Sequence, residues 1–343
     1  MVLRAIACLI FMFVAAPATA QQPRFHDVDG GWHEAWIGVS DLARMRSYFE
    51  VVAGWRVVAK GRIANSTLRF IAPEATGGRF LVMAPPDYPQ GWVRLIAIDG
   101  GYRAIIRRHA QAWDTGAIFS LMVRTADLER NLKDAERLGW TAYNVPYHFG
   151  FGDLKLANTV MRGPDGVAVA AYEWIAPKRD DVRAGALSKA FNSMQIVADL
   201  DRSVAYYETL GFRIIQRGRF VDADEKATNF GLPVNLATTI SRNYAIMIPE
   251  KGDEEAGRVE LMQFEGLRGR DLSAEARLDG LGIATLLFPV SDLGAIERRL
   301  EKAGARIIRS RTIIDLRPFG RAEATTAAAP EGALLTFFEP LPR

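Results

Sequence analysis

One pattern recurs four times along this chain, and it constrains the fold more than any other feature. An apolar strand leads into an Asp-Leu pair, and a helical stretch then ends at a glycine 12 or 13 residues after the aspartate. The four aspartates are Asp41, Asp127, Asp199 and Asp292. An aspartate carboxylate caps a first helical turn by accepting from its free amides, and glycine readily takes the left-handed conformation that ends a helix. A supersecondary unit repeated four times fixes the architecture and the places where a pocket can form.

After its glycine, each unit continues with apolar segments of strand length. In the first unit these segments are residues 55–59, 79–83 and 93–98, and in the third they are residues 212–216, 244–248 and 258–264. Each unit therefore reads as β-α-β-β-β. One unit leaves one face of its sheet uncovered, and two units can bury those faces around a shared cup. The predicted fold class is α+β, with four βαβββ modules forming two cupped mixed sheets.

Differences between the units predict how they pair. The first and third carry an aromatic pair in the helix, Tyr48-Phe49 and Tyr206-Tyr207, whereas the second and fourth share a Pro-acid-Gly turn before the last strand. This A-B-A-B order predicts an N-terminal domain over residues 30–175 and a C-terminal domain over residues 188–340, each made of two consecutive modules. The intervening residues 176–187 include the charged stretch that begins at Pro177, which is typical of a linker.

The first 20 residues have the layout of a secretory signal peptide. Arg4 precedes an apolar run over residues 5–16, and Ala18-Thr19-Ala20 supplies a small-residue exit. The run is too short for a stable membrane anchor, so we expect a periplasmic or secreted protein, cleaved near Ala20 and free of the membrane afterwards. The single cysteine, Cys8, lies in this run, so the mature chain has no thiol for a disulfide, a nucleophile or a metal.

Charge argues against nucleic acid as a partner. The formal net charge is +3, with 43 basic residues interspersed among 40 acidic ones, and no basic run stands out. We therefore expect a small-molecule ligand. Because one chain carries four modules, a monomer is sufficient to form both cups.

The repeated pattern resembles the vicinal oxygen chelate superfamily, which includes glyoxalase I, bleomycin-resistance proteins and extradiol dioxygenases. The motifs that carry the resemblance are Val39-Ser40-Asp41-Leu42 with its counterparts, the Gly-aromatic pair that begins at Gly54, and Pro164-Asp165-Gly166 before a last strand. The resemblance extends from about His33 to Glu339. It implies the fold, whereas function in such a family depends on a few positions on the cupped sheets.

In metal-dependent members of that superfamily, ligands come from the first strand, seven residues before the capping aspartate, and from the last strand. The matching positions here are Glu34, Ser120, Asn192 and Thr285 on first strands, and about Ala97, Ala170, Glu260 and Thr336 on last strands. None is a histidine, and a transition metal needs about three converging protein ligands. The resemblance therefore implies a member without the usual metal site. No cofactor is predicted, and a divalent metal held by other ligands is the alternative.

His33 neighbours Glu34, and a one-residue slip of the strand would exchange the two side chains between its faces. We expect His33 to face the helix layer.

The polar positions of the C-terminal half form the leading site hypothesis. If the family geometry holds, four side chains converge on one concavity: Asn192, Glu260, Thr285 and Thr336. A buried carboxylate is costly unless it is paired, solvated or protonated, and a raised pKa would suit Glu260 to acid or base catalysis on a carbonyl substrate. Apolar Met194 and Met262 are expected to line the same pocket.

A structural role for Glu260 is the alternative, with its carboxylate neutralised by Arg258 or Arg242.

Two aromatic-glycine loops are secondary candidates. Residues 147–153 in the second unit and residues 317–321 in the fourth precede comparable strands. Such loops act as lids over a cup, or they are ordinary turns with an apolar plug, and the second interpretation is favoured. His148 is the histidine placed on such a rim.

Three functional classes remain open. The first is an exported, metal-independent protein that binds a small, partly apolar molecule in the C-terminal cup. The second is a glyoxalase- or dioxygenase-type enzyme (a lyase, isomerase or oxidoreductase), with Glu260 as acid or base or as ligand of an unrecognised metal site. The third is a non-catalytic scaffold whose cups are filled by side chains. The absent histidines favour the first and third classes, and the retained polar positions favour a pocket.

Overall fold

The computed structural model describes residue 25 and residues 28–179, 186–222 and 228–342. The predicted signal peptide, residues 1–20, and residues 180–185 of the predicted linker lie outside the described residues. Within these ranges, no helix is both long enough and apolar enough to span a bilayer.

Four modules follow one another along the chain, and each contains the predicted strand, helix and three further strands. Module one comprises β1 (Glu34–Gly38), α1 (Leu42–Ser47), a π-helical continuation (Tyr48–Val52), β2 (Arg56–Arg62), α2 (Asn65–Ile71), β3 (Gly77–Ala84) and β4 (Trp92–Asp99). Module two comprises β5 (Ser120–Thr125), α3 (Leu128–Arg137), β6 (Thr141–Ala142), β7 (Tyr147–Phe151), β8 (Leu154–Arg162) and β9 (Ala168–Ala176).

The later modules repeat the order. Module three comprises β10 (Asn192–Ile196), α4 (Leu200–Thr209), β11 (Phe212–Phe220), α5 (Val234–Ala237), β12 (Ser241–Pro249) and β13 (Arg258–Glu265). Module four comprises β14 (Gly282–Pro289), α6 (Leu293–Lys302), β15 (Arg306–Asp315), β16 (Arg321–Ala328) and β17 (Leu334–Pro340). The predicted α+β fold class, with four βαβββ modules in two mixed sheets, is confirmed.

Each repeated aspartate caps the helix that follows it. The Asp41 carboxylate accepts from the amides of Ala43 and Arg44 at 2.8 and 3.1 Å, and the other three aspartates each accept from one first-turn amide. The four closing glycines have φ between 63° and 89°, a region that a side chain would strain. The repeat therefore sets both ends of every module helix.

The sheets do not combine the modules as predicted. One sheet has the order β15-β16-β17-β14-β1-β4-β3-β2, and the other has the order β11-β12-β13-β10-β5-β9-β8-β6, with β7 added on β8. Modules one and four thus share a sheet, as do modules two and three, and the predicted domains of consecutive modules, 30–175 and 188–340, are wrong. All four modules begin with the same kind of strand, so the repeat is compatible with either pairing. We call the concave faces of these sheets the outer-pair cup (modules one and four) and the inner-pair cup (modules two and three).

The aromatic pairs that suggested the A-B-A-B pairing have another role. The helices pack between the two sheets in one shared core, where the side chains of all four modules meet. Tyr48 of module one stacks on Trp140 of module two at 3.7 Å, and Phe212 of module three packs against Phe288 of module four at 5.7 Å. Consecutive modules therefore meet through the core between the sheets, while the cups open on the opposite faces.

Candidate functional site

The inner-pair cup contains a cavity of about 390 Å³. Both modules contribute to it, because β5, β8 and β9 form one wall and β10, β12 and β13 form the other. Its apolar lining includes Phe149, Trp174, Phe191, Phe220, Phe230 and Met262. A cavity of this size with aromatic walls and few polar groups is typical of small-molecule sites.

Glu260 is the carboxylate of this cavity. It lies on β13 opposite Met194 of β10, and only 8% of the residue is exposed. Its Oε2 accepts from Asn192 Nδ2 at 3.0 Å, and the Asn192 Oδ1 in turn accepts from the Ser193 amide at 2.9 Å. The asparagine is therefore fixed with its amide hydrogens toward the carboxylate.

Burial raises the pKa of Glu260 to about 7, although the Asn192 hydrogen bond and the charge of Arg258 pull that pKa down. The neutralising arginines proposed from the sequence are engaged elsewhere. Arg242 forms a fully buried pair with Asp222, at 2.9 Å, and the Arg258 guanidinium bonds Glu255 at 3.1 Å. Near neutral pH, both protonation states of Glu260 are therefore accessible.

Tyr172 and Tyr244 flank the carboxylate from β9 and β12. Burial raises the pKa of both phenols, and the charge of Glu260 raises each further. The Tyr244 hydroxyl accepts from Gln216 Nε2 at 2.8 Å. Beside Tyr172, on the neighbouring strand, lies the fully buried Asn158.

A positively charged wall bounds one side of the cavity. The guanidinium carbons of Arg124 and Arg258 lie 4.1 and 5.6 Å from the ring centre of Phe191, and both groups contact Glu255, at 2.6 and 3.1 Å. Burial lowers the pKa of the Arg124 guanidinium. Because two guanidinium groups share one carboxylate, this wall retains positive charge.

The aromatic loop of module two forms part of the cavity wall. Tyr147, His148 and Phe149 lie on β7 and line the cavity, and His148 is exposed at its rim. The Phe149 ring packs edge-on against Tyr172 with centres 6.5 Å apart. The loop therefore combines an apolar contact with an exposed histidine.

The outer-pair cup is closed by its own side chains. The Glu34 carboxylate bonds Arg94 Nε and Nη2 at 2.7 and 3.1 Å, and it also accepts from the Trp36 indole at 2.7 Å. Thr336 shares hydrogen bonds with Thr285 at 2.9 Å and with Thr326 at 2.8 Å. The remaining cavity is about 20 Å³, which is about the space of one water molecule.

An aromatic group completes this closure. Phe319 is 6% exposed, and its ring centre lies 4.3 Å from that of Phe25 and 4.7 Å from that of His33. The loop of residues 317–321 thus supplies an apolar plug. His33 also lies 5.3 Å from Trp92 in this group, so the expectation that it faces the helix layer is wrong.

The predicted site residues are divided between the cups. Four line the inner-pair cavity together: Asn192, Glu260, Met262 and His148. Met194 packs in the apolar cluster of the same cup without lining the cavity. Glu34, Thr285 and Thr336 lie in the outer-pair cup, so the predicted convergence of the C-terminal polar residues is wrong, because modules three and four belong to different sheets.

One predicted position was also misplaced. Trp36 pairs with Arg94 in the register that pairs Met194 with Glu260, so Arg94, and not Ala97, is the module-one counterpart of Glu260. Sequence reasoning also missed Tyr172 and Trp174. Their alternation with Ala170 along one strand would have placed them on the same face.

The side chains at the four family positions of the inner-pair cup do not fit a divalent transition metal. They are one carboxylate, one amide that is already hydrogen-bonded, one hydroxyl and one methyl group, from Glu260, Asn192, Ser120 and Ala170. Such a metal needs about three donors from imidazole, thiolate or carboxylate groups. Among the described residues, no three His, Cys, Asp or Glu side chains are grouped so as to hold a metal ion.

Comparisons with known proteins agree with this architecture. Residues 191–315 match the family model of the Glyoxalase/Bleomycin resistance protein/Dioxygenase superfamily. A search of curated protein sequences gives no match. The fold is similar to that of glyoxalase I from Zea mays, with a TM-score of 0.58 and 16% identity over 91% of this chain and 92% of that chain.

A second solved structure with this fold is a putative dioxygenase from Bacillus subtilis. Its TM-score is 0.51, with 11% identity over 91% of this chain and 86% of that chain. At such identities the likeness concerns the fold alone. By the family match over residues 191–315 and by its fold along nearly the whole chain, the protein belongs to the vicinal oxygen chelate superfamily.

Proposed function

We propose that the inner-pair cup binds a small, partly apolar molecule through its aromatic walls and the Glu260–Asn192 pair, without a metal ion. The observation that carries this proposal is a cavity of about 390 Å³ beside a buried carboxylate. That carboxylate has one hydrogen-bond donor among the described residues, Asn192, which leaves it able to bond a ligand. The open cavity favours binding over a scaffold role.

A thermal-shift screen of aromatic, phenolic and dicarbonyl compounds tests the proposal. A compound present at 100 times its dissociation constant adds about 2.7 kcal/mol to stability, a shift of roughly 5 °C for a chain of this size. We expect Glu260→Gln and Asn192→Ala each to reduce the shift produced by a compound that binds wild type.

Glu265→Gln is the matched control, because Glu265 lies on the same strand but is exposed and contacts Arg219 at 3.2 Å. It should leave the shift unchanged. Shifts that survive both Glu260→Gln and Asn192→Ala would show that the ligand binds elsewhere.

An enzyme is the second candidate, and the protonation behaviour of Glu260 favours it. A carboxyl group with a pKa near 7 accepts and returns protons efficiently at neutral pH. The expected reaction is proton transfer next to a carbonyl group of the bound molecule. A saturable activity that disappears in Glu260→Gln but persists in Glu265→Gln would support this candidate.

Export and monomeric state complete the proposal. The support for export is the layout of residues 1–20, and cell fractionation with N-terminal sequencing should find the mature chain outside the cytoplasm, starting near Gln21. Support for a monomer is that one chain forms both cups. Light scattering after size-exclusion chromatography should therefore give the mass of a single chain.

A further inference from the structure

A second polar group faces the inner-pair cavity across from the Glu260–Asn192 pair. Tyr172 lines the cavity from β9, and Glu260 lies close enough for its charge to raise the pKa of the phenol. Within the described chain, the phenol hydroxyl donates no hydrogen bond. Its hydrogen is therefore available to an acceptor in the cavity.

Asn158 supports this group from behind. It is fully buried and pairs across the strands with Tyr147 on one side and Tyr172 on the other. Its amide lies near enough to lower the pKa of Tyr172, yet neither amide atom has a partner at normal hydrogen-bond geometry within the described residues. A buried amide without partners is costly, and its position behind a ligand-facing phenol gives that cost a purpose.

The two polar groups come from different modules. Glu260 and Asn192 belong to module three, while Tyr172 and Asn158 belong to module two. The space between them is walled by Phe149, Trp174 and Met262. A molecule held there has a proton acceptor on one side, a hydrogen-bond donor on the other and apolar surface around it.

We propose that Tyr172, positioned by Asn158, holds the carbonyl oxygen of an enolisable ketone while Glu260 moves a proton to and from the adjacent carbon. The ligand class is an α-hydroxyketone with an aromatic or apolar substituent. This inference rests on the second candidate function above, and it adds the donor that the reaction needs.

The chemistry balances without an oxidant or a further reactant. The Glu260 carboxylate takes the proton from the carbon next to the carbonyl, and the electron pair of that C–H bond becomes the C=C bond of an enolate. The carbonyl π pair moves onto the oxygen, where the Tyr172 hydroxyl donates to it. Return of the proton from Glu260 restores the ketone and the carboxylate. Oriented donors to such an oxyanion accelerate reactions by about 10²–10³-fold.

Hydrogen–deuterium exchange tests the inference directly. The probe is 2-hydroxyacetophenone in D₂O at neutral pD, with loss of the α-proton signal followed by ¹H NMR and binding followed by thermal shift. Wild type should accelerate exchange at saturation. Tyr172→Phe should lower the saturated rate about 10- to 100-fold and leave the half-saturating concentration nearly unchanged. Glu260→Gln should abolish the exchange.

Tyr143→Phe is the matched control, because this tyrosine of module two lies outside the cavity and its hydroxyl bonds the Ala110 carbonyl at 3.1 Å. It should exchange like wild type. A probe that binds in a Glu260-dependent way without exchange would overturn the inference and leave the binding proposal standing. No binding of the probe, or a Tyr172→Phe rate equal to that of wild type, would also overturn it.

The wild-type pH profile provides a readout that requires no variant. The saturated rate should rise with pH as Glu260 becomes a carboxylate and then level off. A rate that is independent of pH between 5 and 9 would contradict the assigned base, even if Tyr172→Phe did not fold.

Discussion

The two cups have the same strands and equivalent positions but opposite interiors. In the outer-pair cup, Glu34 is matched by Arg94, and aromatic rings fill the remaining space. In the inner-pair cup, Glu260 is matched only by the neutral Asn192, and about 390 Å³ stays open. One cup has therefore replaced a site by a core, whereas the other has kept polar groups that face a cavity.

The elements that close the edges contribute to this difference. In the outer-pair cup, α2 packs against the far edge strand, and Thr67 Oγ1 both donates to the Asp315 carbonyl at 2.9 Å and accepts from the Asp315 amide at 2.8 Å. In the inner-pair cup, the corresponding part of module three includes residues 228–237, which have only a short helix. The outer cup is thus bridged by a helix bound at both sides.

The largest expected effect comes from breaking the ion pair of the outer-pair cup. Arg94→Met leaves Glu34 buried without its cation, and we expect it to lower the free energy of unfolding by about 3–5 kcal/mol. Denaturant unfolding measures the loss. The double variant Glu34→Gln/Arg94→Met should recover most of it, because no buried charge remains. A single-variant loss below about 1 kcal/mol would mean that the pair is not the structural centre of this cup.

Removal of the aromatic plug should be nearly as costly. Phe319→Ala deletes a buried ring, and the expected destabilisation is about 3 kcal/mol by thermal or denaturant unfolding. The resulting space should also allow a small apolar probe such as indole to bind and recover part of the stability. If neither effect occurs, the outer-pair cup is not held closed by this ring.

Glu260→Gln should act in the opposite direction and only at higher pH. The folded-state pKa is raised from 4.5 to about 7, so the stability that the protonated group contributes is fully present below pH 4.5 and is lost as the pH rises to 7. At pH 8 we expect Glu260→Gln to be more stable than wild type by about 2 kcal/mol, and at pH 4 to be equal to it. Unfolding curves across this range measure the difference. Equal stability at pH 8 would show that Glu260 is not buried as a charge.

Two hydroxyl deletions give the smallest contrast. Thr336→Val removes a hydroxyl that bonds two other threonines, so we expect a loss of about 1 kcal/mol. Ser120→Ala, at a family position of the inner-pair cup, removes a buried hydroxyl without a partner in the described chain, so the change should be within about 0.5 kcal/mol. Thermal unfolding of both variants checks this. A reversed order would contradict the assignment of a closed and an open cup.

Much of the fold could be predicted because the repeat acts locally. Asp41 and its three counterparts cap the first turns, and apolar spacing indicates each strand, so the modules are readable one at a time. Module pairing is not local. It depends on which first strands lie side by side, such as Trp36 opposite Thr285 and Met194 opposite Ser120, and the repeat itself is the same for both arrangements.

The site could be predicted only in part for the same reason. Asn192 and Glu260 belong to one module, so their contact follows from one parallel strand pair. Their partners across the cavity come from module two and required the correct pairing. The closure of the outer-pair cup depends on Arg94, whose place is set by a register that residue counting missed by three positions.

A crystal structure with the tightest compound from the thermal-shift screen tests the central claim most directly. We predict ligand density between Glu260 and Tyr172, in contact with Trp174, and an unchanged Glu34–Arg94 pair in the outer-pair cup. Density among Trp36, Phe80 and Arg94, with Phe319 displaced, would contradict the account, because the cup described as closed would then be the one that binds.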